Sequence, residues 1–384
     1  MSIVSLKLRN SKRALNSISC IKANKEIINN RLNNCHGIKI NVIEIHLTDI
    51  CDLNCSYCSY KSGVVNKRDT LKYSTLDTII ELKPQAIVLA GGGEPVLYKD
   101  NNYTIHNVID KLHANSIAVG LITNGGKDVA IDILNKLSWL RVSLDAIGDV
   151  PFFALKKGKF SKRLAFLKKA IRSDCRHIGI GFLYNDNNLR DTLSACEYIH
   201  TQLKDDRVNI QFRPTCKIQS CDCPSENYSS DNTLTSNRET WWAEEIASLT
   251  EKLEIIKNKN VDLYNFIIRQ TNFLSILKPN FNERKAPFSS CYISLARWII
   301  RADGNIYPCV MKATNFGIPI GNINHDSPVK IKEGMKGYFD LERKYCQGPS
   351  ECCNFVSVTN ELIECNIKTY AVNETTLNND EYFF

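Results

Sequence analysis

The stretch from Val42 to Cys58 reads VIEIHLTDICDLNCSYC, a strand-like apolar run followed at once by three closely spaced cysteines. Cys51, Cys55 and Cys58 stand at C-x3-C-x2-C spacing. Three thiolates this close can hold three irons of a [4Fe–4S] cluster and leave the fourth iron without a protein ligand. An open iron can bind a small molecule and pass an electron into it, which a four-cysteine electron carrier cannot do. The stretch therefore predicts a reactive cluster at the end of a strand.

A zinc site is the main alternative for the same cysteines. The chain has 16 cysteines, and three of them with a nearby histidine such as His46 would complete a tetrahedral zinc site. His46, however, lies within the strand-like run, so we interpret it as a strand-end or core histidine. Structural zinc and a chance spacing stay open beside the iron–sulfur interpretation.

The composition is that of a folded globular protein, since 43% of the 384 residues are hydrophobic and 23% are charged. The length predicts one large domain and a smaller one. No run reaches the roughly 18 apolar residues of a membrane-spanning helix, and the first 30 residues lack the features of a secretory signal. Cysteine richness without such a signal indicates a reducing compartment, where thiols serve as metal ligands. We therefore expect a cytoplasmic protein without a membrane partner.

The formal net charge of +8 is modest, and both signs are mixed along the chain. The densest basic run extends from Lys156 to Arg172, with apolar residues at roughly helical spacing. We interpret this run as a helix with a charged, solvated outer face. Weak attraction for an acidic substrate or a nucleic acid is the alternative. Because no basic module typical of RNA-modifying enzymes is evident, a nucleic-acid partner is not expected.

Strand-like runs alternate with amphipathic stretches from residue 41 onward. The predicted strands are 41–47, 86–90, 117–123, 139–144, 177–183 and 207–213. The predicted helices between them are 75–82, 104–114, 128–138, 160–173 and 189–203. This alternation indicates parallel β-α-β units, and six units make an α/β fold, a partial (β/α)6 barrel over residues 41–215. In such folds the chemistry lies at the carboxyl ends of the strands, which is where the three cysteines stand.

Glycines and polar residues follow three more of the predicted strands. They are Gly92, Gly93 and Glu94 after the second strand, Asn124 after the third, and Ser143 and Asp145 at the end of the fourth. Glycines let the backbone approach a ligand closely. Ser143 and Asp145 share one face by the two-residue period of a strand, where they could hold ribose hydroxyls. A plain glycine turn and a strand end followed by a helix cap are the alternatives.

The cysteine triplet and these strand ends, in this order, resemble the radical S-adenosylmethionine (SAM) superfamily over about residues 41–215. The resemblance implies that Cys51, Cys55 and Cys58 hold a [4Fe–4S] cluster whose open iron binds SAM. It also implies SAM contacts at the other strand ends: Tyr57 by its backbone near the adenine, Gly92, Gly93 and Glu94 at the methionine amino group, Asn124, and Ser143 and Asp145 at the ribose. The segment 178–183 resembles the apolar support of the adenine.

A second group of cysteines lies beyond the predicted barrel. Residues 238–258 and 260–277 are predicted as helices, within a linker over residues 216–288. Asp303-Gly304 is a strong hairpin signal, and it lies between Cys291 and Cys309. A hairpin can bring these two thiols together.

This region resembles the SPASM or twitch extension of radical SAM enzymes over about residues 289–370. The resemblance implies a small cysteine-rich α+β domain, residues 289–384, that holds an auxiliary [4Fe–4S] cluster. The predicted ligands are Cys291, Cys309, Cys346 and one of Cys352 and Cys353, with Cys365 further on. Two auxiliary clusters would need more ligands, from Cys216, Cys221 and Cys223. Those three cysteines follow the last barrel strand and could instead be hydrogen donors or bystanders.

The resemblance implies an enzyme that receives an electron from a flavodoxin or ferredoxin and splits SAM into methionine and a 5′-deoxyadenosyl radical. That radical takes a hydrogen atom from the substrate. SPASM and twitch enzymes mostly modify ribosomally made peptides, so we place a peptide substrate first, altered by crosslinking, epimerisation or oxidation. Oxidation of a small-molecule sugar or aminocyclitol, and a non-catalytic iron–sulfur or zinc scaffold, are the alternatives. The N-terminal extension, residues 1–40, is too short for a complete leader-recognition domain, which counts against a leader-dependent maturase, although a separate partner could supply the recognition.

Overall fold

A nine-stranded sheet organises the computed structural model of this chain, which describes residues 37–58, 60, 69–215, 235–277, 291–314, 317–339 and 360. The strands are β1 Val42–His46, β2 Ala86–Ala90, β3 Lys99–Asp100, β4 Tyr103–Thr104, β5 Ala118–Thr123, β6 Trp139–Ser143, β7 Ile178–Tyr184, β8 Val208–Pro214, β9 Arg297–Ile300, β10 Asn305–Tyr307 and β11 Gly321–Asn322. The sheet order is β11-β10-β9-β1-β2-β5-β6-β7-β8, and β3 pairs with β4 apart from it.

The six predicted barrel strands are confirmed, and their ends differ from the prediction by at most one residue. All six run parallel to their neighbours. Their carboxyl ends therefore meet at one edge of the sheet, as a barrel of β-α-β units requires. Within the described ranges the sheet ends at β11 on one side and β8 on the other, so the barrel is partial.

Helices connect and cover these strands. Those in the described residues are α1 Thr75–Glu81, α2 Ile105–Ala114, α3 Ile131–Leu134, α4 Asp149–Lys156, α5 Phe160–Ala170, α6 Thr192–Leu203, α7 Thr235–Lys259, α8 Val261–Gln270, α9 Ile293–Ala296, α10 Val310–Thr314, α11 Pro328–Gly334 and α12 Lys336–Phe339. No helix among these residues is both long enough and apolar enough to cross a bilayer.

Three helices differ from the prediction. The predicted helix 260–277 ends at Gln270 as α8, because Thr271 is extended and forms a bridge with Ile210 of β8. The predicted helix 128–138 is reduced to the single turn α3, because the chain must be extended again by Trp139, where β6 begins. The helix α4 was not predicted. Pro151 is tolerated because it lies in the first turn, where its missing N–H is not needed.

The two faces of the sheet have different chemistry. On the outer face, alternate strand residues such as Ile43 and Ile45 pack with the buried side chains of the helices in the main core. The opposite face, here called the inner face, carries a small separate apolar cluster of Val42, Ala86, Val88, Ala90 and Trp139. Ala118 and Ile122 pack against this cluster. Glu44 and His46 lie on the same face as Val42 by the two-residue period of β1.

The hairpin predicted at Asp303-Gly304 is confirmed, since β10 pairs antiparallel with β9. The first strand of this hairpin also pairs with β1 in parallel, with Val42 opposite Arg297. The hairpin therefore extends the barrel sheet on the side of the cysteine-bearing strand. The sequence contains no local signal for this pairing, because it joins segments about 250 residues apart.

Candidate active site

The three clustered cysteines lie on an accessible loop that follows β1. Cys51 is exposed, and Cys55 and Cys58 are half-buried. The loop is held by its backbone, since the N–H groups of Asn54 and Ser56 donate to the last carbonyls of α4 at 3.0 Å each. The fold therefore fixes the position of the loop and leaves its thiols accessible for binding a cluster. This donor set, three thiols on one anchored loop, fits a [4Fe–4S] cluster with one open iron.

The described part of the chain contains no group of side chains that would bind a single zinc ion. No three His, Cys, Asp or Glu side chains there are grouped closely enough to hold one metal ion. A mononuclear zinc site needs such a group, whereas each cysteine of a [4Fe–4S] cluster binds a separate iron. His46 is fully buried, its Nε2 lies 3.0 Å from Glu44 Oε1, and its ring packs edge-on against Tyr60. The interpretation of His46 as a buried strand-end residue is confirmed.

The glycine-rich turn after β2 packs directly on the start of the cysteine loop. The N–H of Glu94 donates to Ile50 O at 2.8 Å. A β-carbon on Gly93 would lie 2.3 Å from the same carbonyl oxygen, and Gly91 adopts a φ of +126° against the His46 ring. Side chains at these positions would push the turn off the loop. The glycines therefore allow the end of β2 to lie beside the cysteines, where SAM contacts are predicted.

Glu94 joins the ends of β2 and β5. Its carboxylate is buried and accepts hydrogen bonds from Thr123 Oγ1 at 2.5 Å and from the Asn124 N–H at 2.6 Å. Burial raises the pKa of Glu94 to about 7, although these hydrogen bonds oppose the shift. The predicted contact between Glu94 and the methionine amino group stays a prediction. In the structure the carboxylate already holds two strand ends together.

Stability should depend on the protonation of Glu94. Because its folded-state pKa of about 7 lies above the ordinary value of 4.5, the folded protein holds a proton that the unfolded chain has lost between these pH values. The free energy of unfolding should therefore fall as pH rises from about 4.5 to 7. Glu94→Gln should reduce the difference in unfolding free energy between pH 5 and pH 8 by about 2–3 kcal/mol.

Urea denaturation at the two pH values measures this difference. The exposed Glu81 on α1 provides the matched control, and Glu81→Gln should leave the pH dependence as in the wild type. Full pH dependence in Glu94→Gln would show that another group controls stability in this range.

A buried arginine connects the end of β5 with the cysteine loop. Arg163 of α5 donates from Nε to Asn124 O and from Nη2 to Asn124 Oδ1, both at 3.1 Å. Asn124 Nδ2 in turn donates to Oδ1 of Asp52, within the cysteine loop, at 2.6 Å. Arg163 Nη2 also lies 3.8 Å from the second carboxylate oxygen of Asp52. This chain of contacts positions the segment between Cys51 and Cys55 against the barrel.

The interpretation of the basic run 156–172 as a solvated face is wrong for Lys156 and Arg163. Both are nearly fully buried, at 3% and 2% exposure. Charge and helical spacing indicate which residues can face water, but they do not reveal acceptors supplied by another strand. Lys156 and Arg163 find theirs at the carboxyl ends of β6 and β5.

Removing the Arg163 guanidinium should destabilise the fold. Arg163→Gln would leave the buried acceptors of Asn124 without their donors, and we expect a loss of about 2–4 kcal/mol in unfolding free energy. Arg172→Gln, an exposed arginine two residues after the end of the same helix, should change stability by less than about 0.5 kcal/mol. Chemical denaturation of the two variants tests the contrast. Equal effects would place Arg163 outside the network described here.

Asp145 is the second connection between the barrel and the cysteine loop. Its buried carboxylate accepts from Tyr57 OH at 2.6 Å and from Lys156 Nζ at 2.7 Å through one oxygen. The other oxygen accepts from the Leu183 N–H at 2.6 Å. Burial and the Asp145 charge raise the pKa of Tyr57, so this phenol stays a hydrogen-bond donor. The Ser143 carbonyl also accepts from Lys156 Nζ, at 3.0 Å. The ribose contacts of Ser143 and Asp145 stay predictions.

Sequence reasoning missed a buried carboxylate beside the glycine turn. Asp49 is 5% exposed, and neither of its carboxylate oxygens has a hydrogen-bond partner among the described residues. Burial raises its pKa to about 7. A β-carbon on Gly92 would lie 2.5 Å from Asp49 Oδ1. Buried acceptors next to a glycine backbone fit the amino end of a ligand such as SAM, and the position two residues before Cys51 could have indicated Asp49.

The auxiliary cysteines are only partly within the described residues. Cys291 and Cys309 are both half-buried, and Cys291 Sγ accepts from Asn360 Nδ2 at 3.5 Å. The other predicted auxiliary cysteines, and the three that follow β8, lie outside the described residues: Cys346, Cys352, Cys353, Cys365, Cys216, Cys221 and Cys223. The auxiliary cluster therefore stays a prediction.

Comparison with known proteins identifies a family whose model matches most of the barrel residues. Residues 45–196 match the model of the radical SAM superfamily. The chain is 26% identical over 182 residues to GTP 3′,8-cyclase of Clostridium botulinum strain Hall, which covers 41% of this chain and 53% of that protein. It is 28% identical over 198 residues to the probable GTP 3′,8-cyclase of Methanococcus aeolicus, covering 47% and 62%. The chain spans about half the length of the curated relatives it matches.

Solved structures extend the likeness in fold beyond the barrel. Streptococcus suis SuiB bound to the precursor peptide SuiA superposes with a TM-score of 0.54 at 16% identity, covering 83% of this chain and 71% of that one. SuiB bound to S-adenosylmethionine gives 0.52 at 13% identity, covering 79% and 66%. At these identities the likeness shows a shared fold and no more.

Proposed function

Because this chain belongs to the radical SAM superfamily, we propose that it is a radical SAM enzyme that modifies a peptide. The observation that carries the proposal is the accessible cysteine loop, anchored on α4 and packed against the Gly91–Gly93 turn. Bound cluster and SAM would supply reductive cleavage of a carbon–sulfur bond and a radical able to take hydrogen from an unreactive carbon.

The residues of the chain would hold and orient these groups. Cys51, Cys55 and Cys58 would ligate three irons. The turn 91–93 and the buried carboxylate of Asp49 would receive the amino end of SAM. Glu94, Arg163 and the Asp145–Tyr57 pair would keep the loop and the strand ends in register, since each joins two of these elements. Rigid support of this kind places a reactive group close to its target carbon.

A peptide substrate is supported by the fold shared with a protein that was crystallised with its precursor peptide. A nucleotide substrate is the second candidate, because the two relatives reported above are named as a GTP 3′,8-cyclase and a probable GTP 3′,8-cyclase. A cytoplasmic location, an electron donor of the flavodoxin or ferredoxin type and one auxiliary cluster complete the proposal.

Formation of 5′-deoxyadenosine tests both candidates in one assay. The anaerobically reconstituted enzyme would be mixed with dithionite and SAM alone, with GTP, or with short peptides encoded beside its gene. We expect a peptide to raise the rate above the uncoupled background and to change in mass or take up deuterium from solvent. Stimulation by GTP alone would favour the nucleotide candidate. Absence of 5′-deoxyadenosine under all conditions would contradict the proposal.

A further inference from the structure

The helix α4 presents two exposed apolar side chains beside the cysteine loop. Val150 is 83% exposed and Phe153 is 56% exposed. Because they are three residues apart, they lie next to each other on one face of the helix. Apolar side chains that are exposed together are unfavourable in water, and a partner that covers them would remove this cost.

This helix face continues directly into the cysteine loop. The carbonyls of Leu155 and Lys156 in α4 accept from the N–H groups of Ser56 and Asn54, at 3.0 Å each. Asn54 and Ser56 are themselves exposed, and they flank Cys55 in the chain. A molecule that covers the end of α4 and these two residues would therefore lie next to a proposed ligand of the cluster.

The exposed charge around the apolar pair is mainly positive. The exposed charged residues of the segment 149–162 are Asp149, Lys157, Lys159 and Lys162. None of these three lysines forms an ion pair with a carboxylate of the described residues. Asp149 Oδ1 is occupied within the segment, since it accepts from the Ser161 N–H at 3.0 Å. A surface of this charge attracts an acidic partner.

Lys157 holds a backbone position that favours glycine. It follows the last residue of α4 with a φ of +59°, in the left-handed region where helices commonly end on glycine. Its Nζ lies 5.2 Å from the centre of the Phe153 ring. The side chain therefore has a conformational cost, and it places a positive charge directly over the exposed aromatic ring.

We propose that the α4 surface, formed by Val150, Phe153, Lys157 and Lys159, is the docking site of a flavodoxin-type electron donor. A flavin exposes the apolar edge of its ring, and a flavodoxin surrounds that edge with carboxylates. The apolar pair and the lysines complement these two features.

The proposed docking serves the transfer of one electron. It would leave the reduced flavin and enter the cluster on the neighbouring loop. The flavin is then oxidised by one electron and the cluster is reduced by one, while no proton or group is transferred. The inference rests on the proposed function, because only a cluster on the cysteine loop gives this electron a destination.

Binding of a purified bacterial flavodoxin to the reconstituted full-length protein tests the site in the absence of SAM. Calorimetric titration at low ionic strength should show binding to the wild type, and added salt should weaken it. Phe153→Ser should weaken this binding about tenfold, and Lys157→Gly about fivefold. Because glycine is favoured at this backbone angle, Lys157→Gly should not lower the stability of the fold.

Lys204→Gly is the matched control for Lys157→Gly. Lys204 has the same left-handed conformation, with a φ of +44°, directly after α6. It precedes β8 and so lies at the amino ends of the strands, away from the cysteine loop. Ile255→Ser, at an apolar residue of α7 that is 45% exposed, is the control for Phe153→Ser. Both control variants should bind flavodoxin as tightly as the wild type.

Dithionite reduces a cluster without a docked protein, so SAM cleavage with dithionite tests the proposed function separately. It should be unchanged in Phe153→Ser and Lys157→Gly, whereas cleavage driven by reduced flavodoxin should fall in both. Three results would overturn the docking site: failure of flavodoxin to bind the wild type, equal affinity in the wild type and both variants, or a wild-type dimer that Phe153→Ser dissociates in sedimentation velocity.

Discussion

Alanine at Cys51, Cys55 or Cys58 is expected to reduce 5′-deoxyadenosine formation to the level of the enzyme-free control. Each cysteine would ligate a separate iron, and the loop that carries them is anchored by backbone hydrogen bonds to α4. The loop should therefore keep its position in the variants while the cluster loses a ligand that no neighbouring thiol replaces. The measurement is 5′-deoxyadenosine by mass spectrometry after anaerobic reconstitution, with iron determined on the same samples.

Cys196 provides the control for loss of a thiol as such. It is fully buried in α6, and burial raises the pKa of its thiol, so it packs as a small apolar group. Cys196→Ala should cost on the order of 1 kcal/mol in unfolding free energy and leave iron content and SAM cleavage unchanged. If a triple variant of Cys51, Cys55 and Cys58 still cleaves SAM, the assignment of the cluster to this loop is wrong.

Alanine at Cys309 is expected to halve the iron content and to reduce the rate of substrate turnover strongly. The wild type should hold roughly eight irons in two [4Fe–4S] clusters, and the variant roughly four. Cys309 follows β10, and the hydrogen bonds described around the cysteine loop do not involve it. Uncoupled SAM cleavage should therefore remain measurable in Cys309→Ala.

Iron analysis of Cys51→Ala completes this test. That variant should lose the other half of the iron, so the two losses should be separable. A wild type that holds only about four irons, all of them lost in Cys51→Ala, would show that Cys309 and Cys291 serve another purpose.

The order of the barrel strands and the place of the cysteines could be predicted from sequence alone. Each strand is a short apolar run whose period is local, and glycine or polar residues mark its end, as at Gly92 and Asn124. The spacing of Cys51, Cys55 and Cys58 is likewise a property of eight consecutive residues. Local patterns of this kind can be recognised without knowledge of the fold, which is why the predicted strand ends differ from the structure by at most one residue.

Only the tertiary structure decided what the charged residues do. The Tyr57–Asp145 hydrogen bond joins residues 88 positions apart, and Arg163 and Lys156 are buried although their sequence is typical of a solvated helix. The pairing of β9 with β1 also joins distant segments. A charged side chain is buried where another part of the chain supplies its partner. That partner is set by the path of the backbone in three dimensions, which no periodicity along the sequence records.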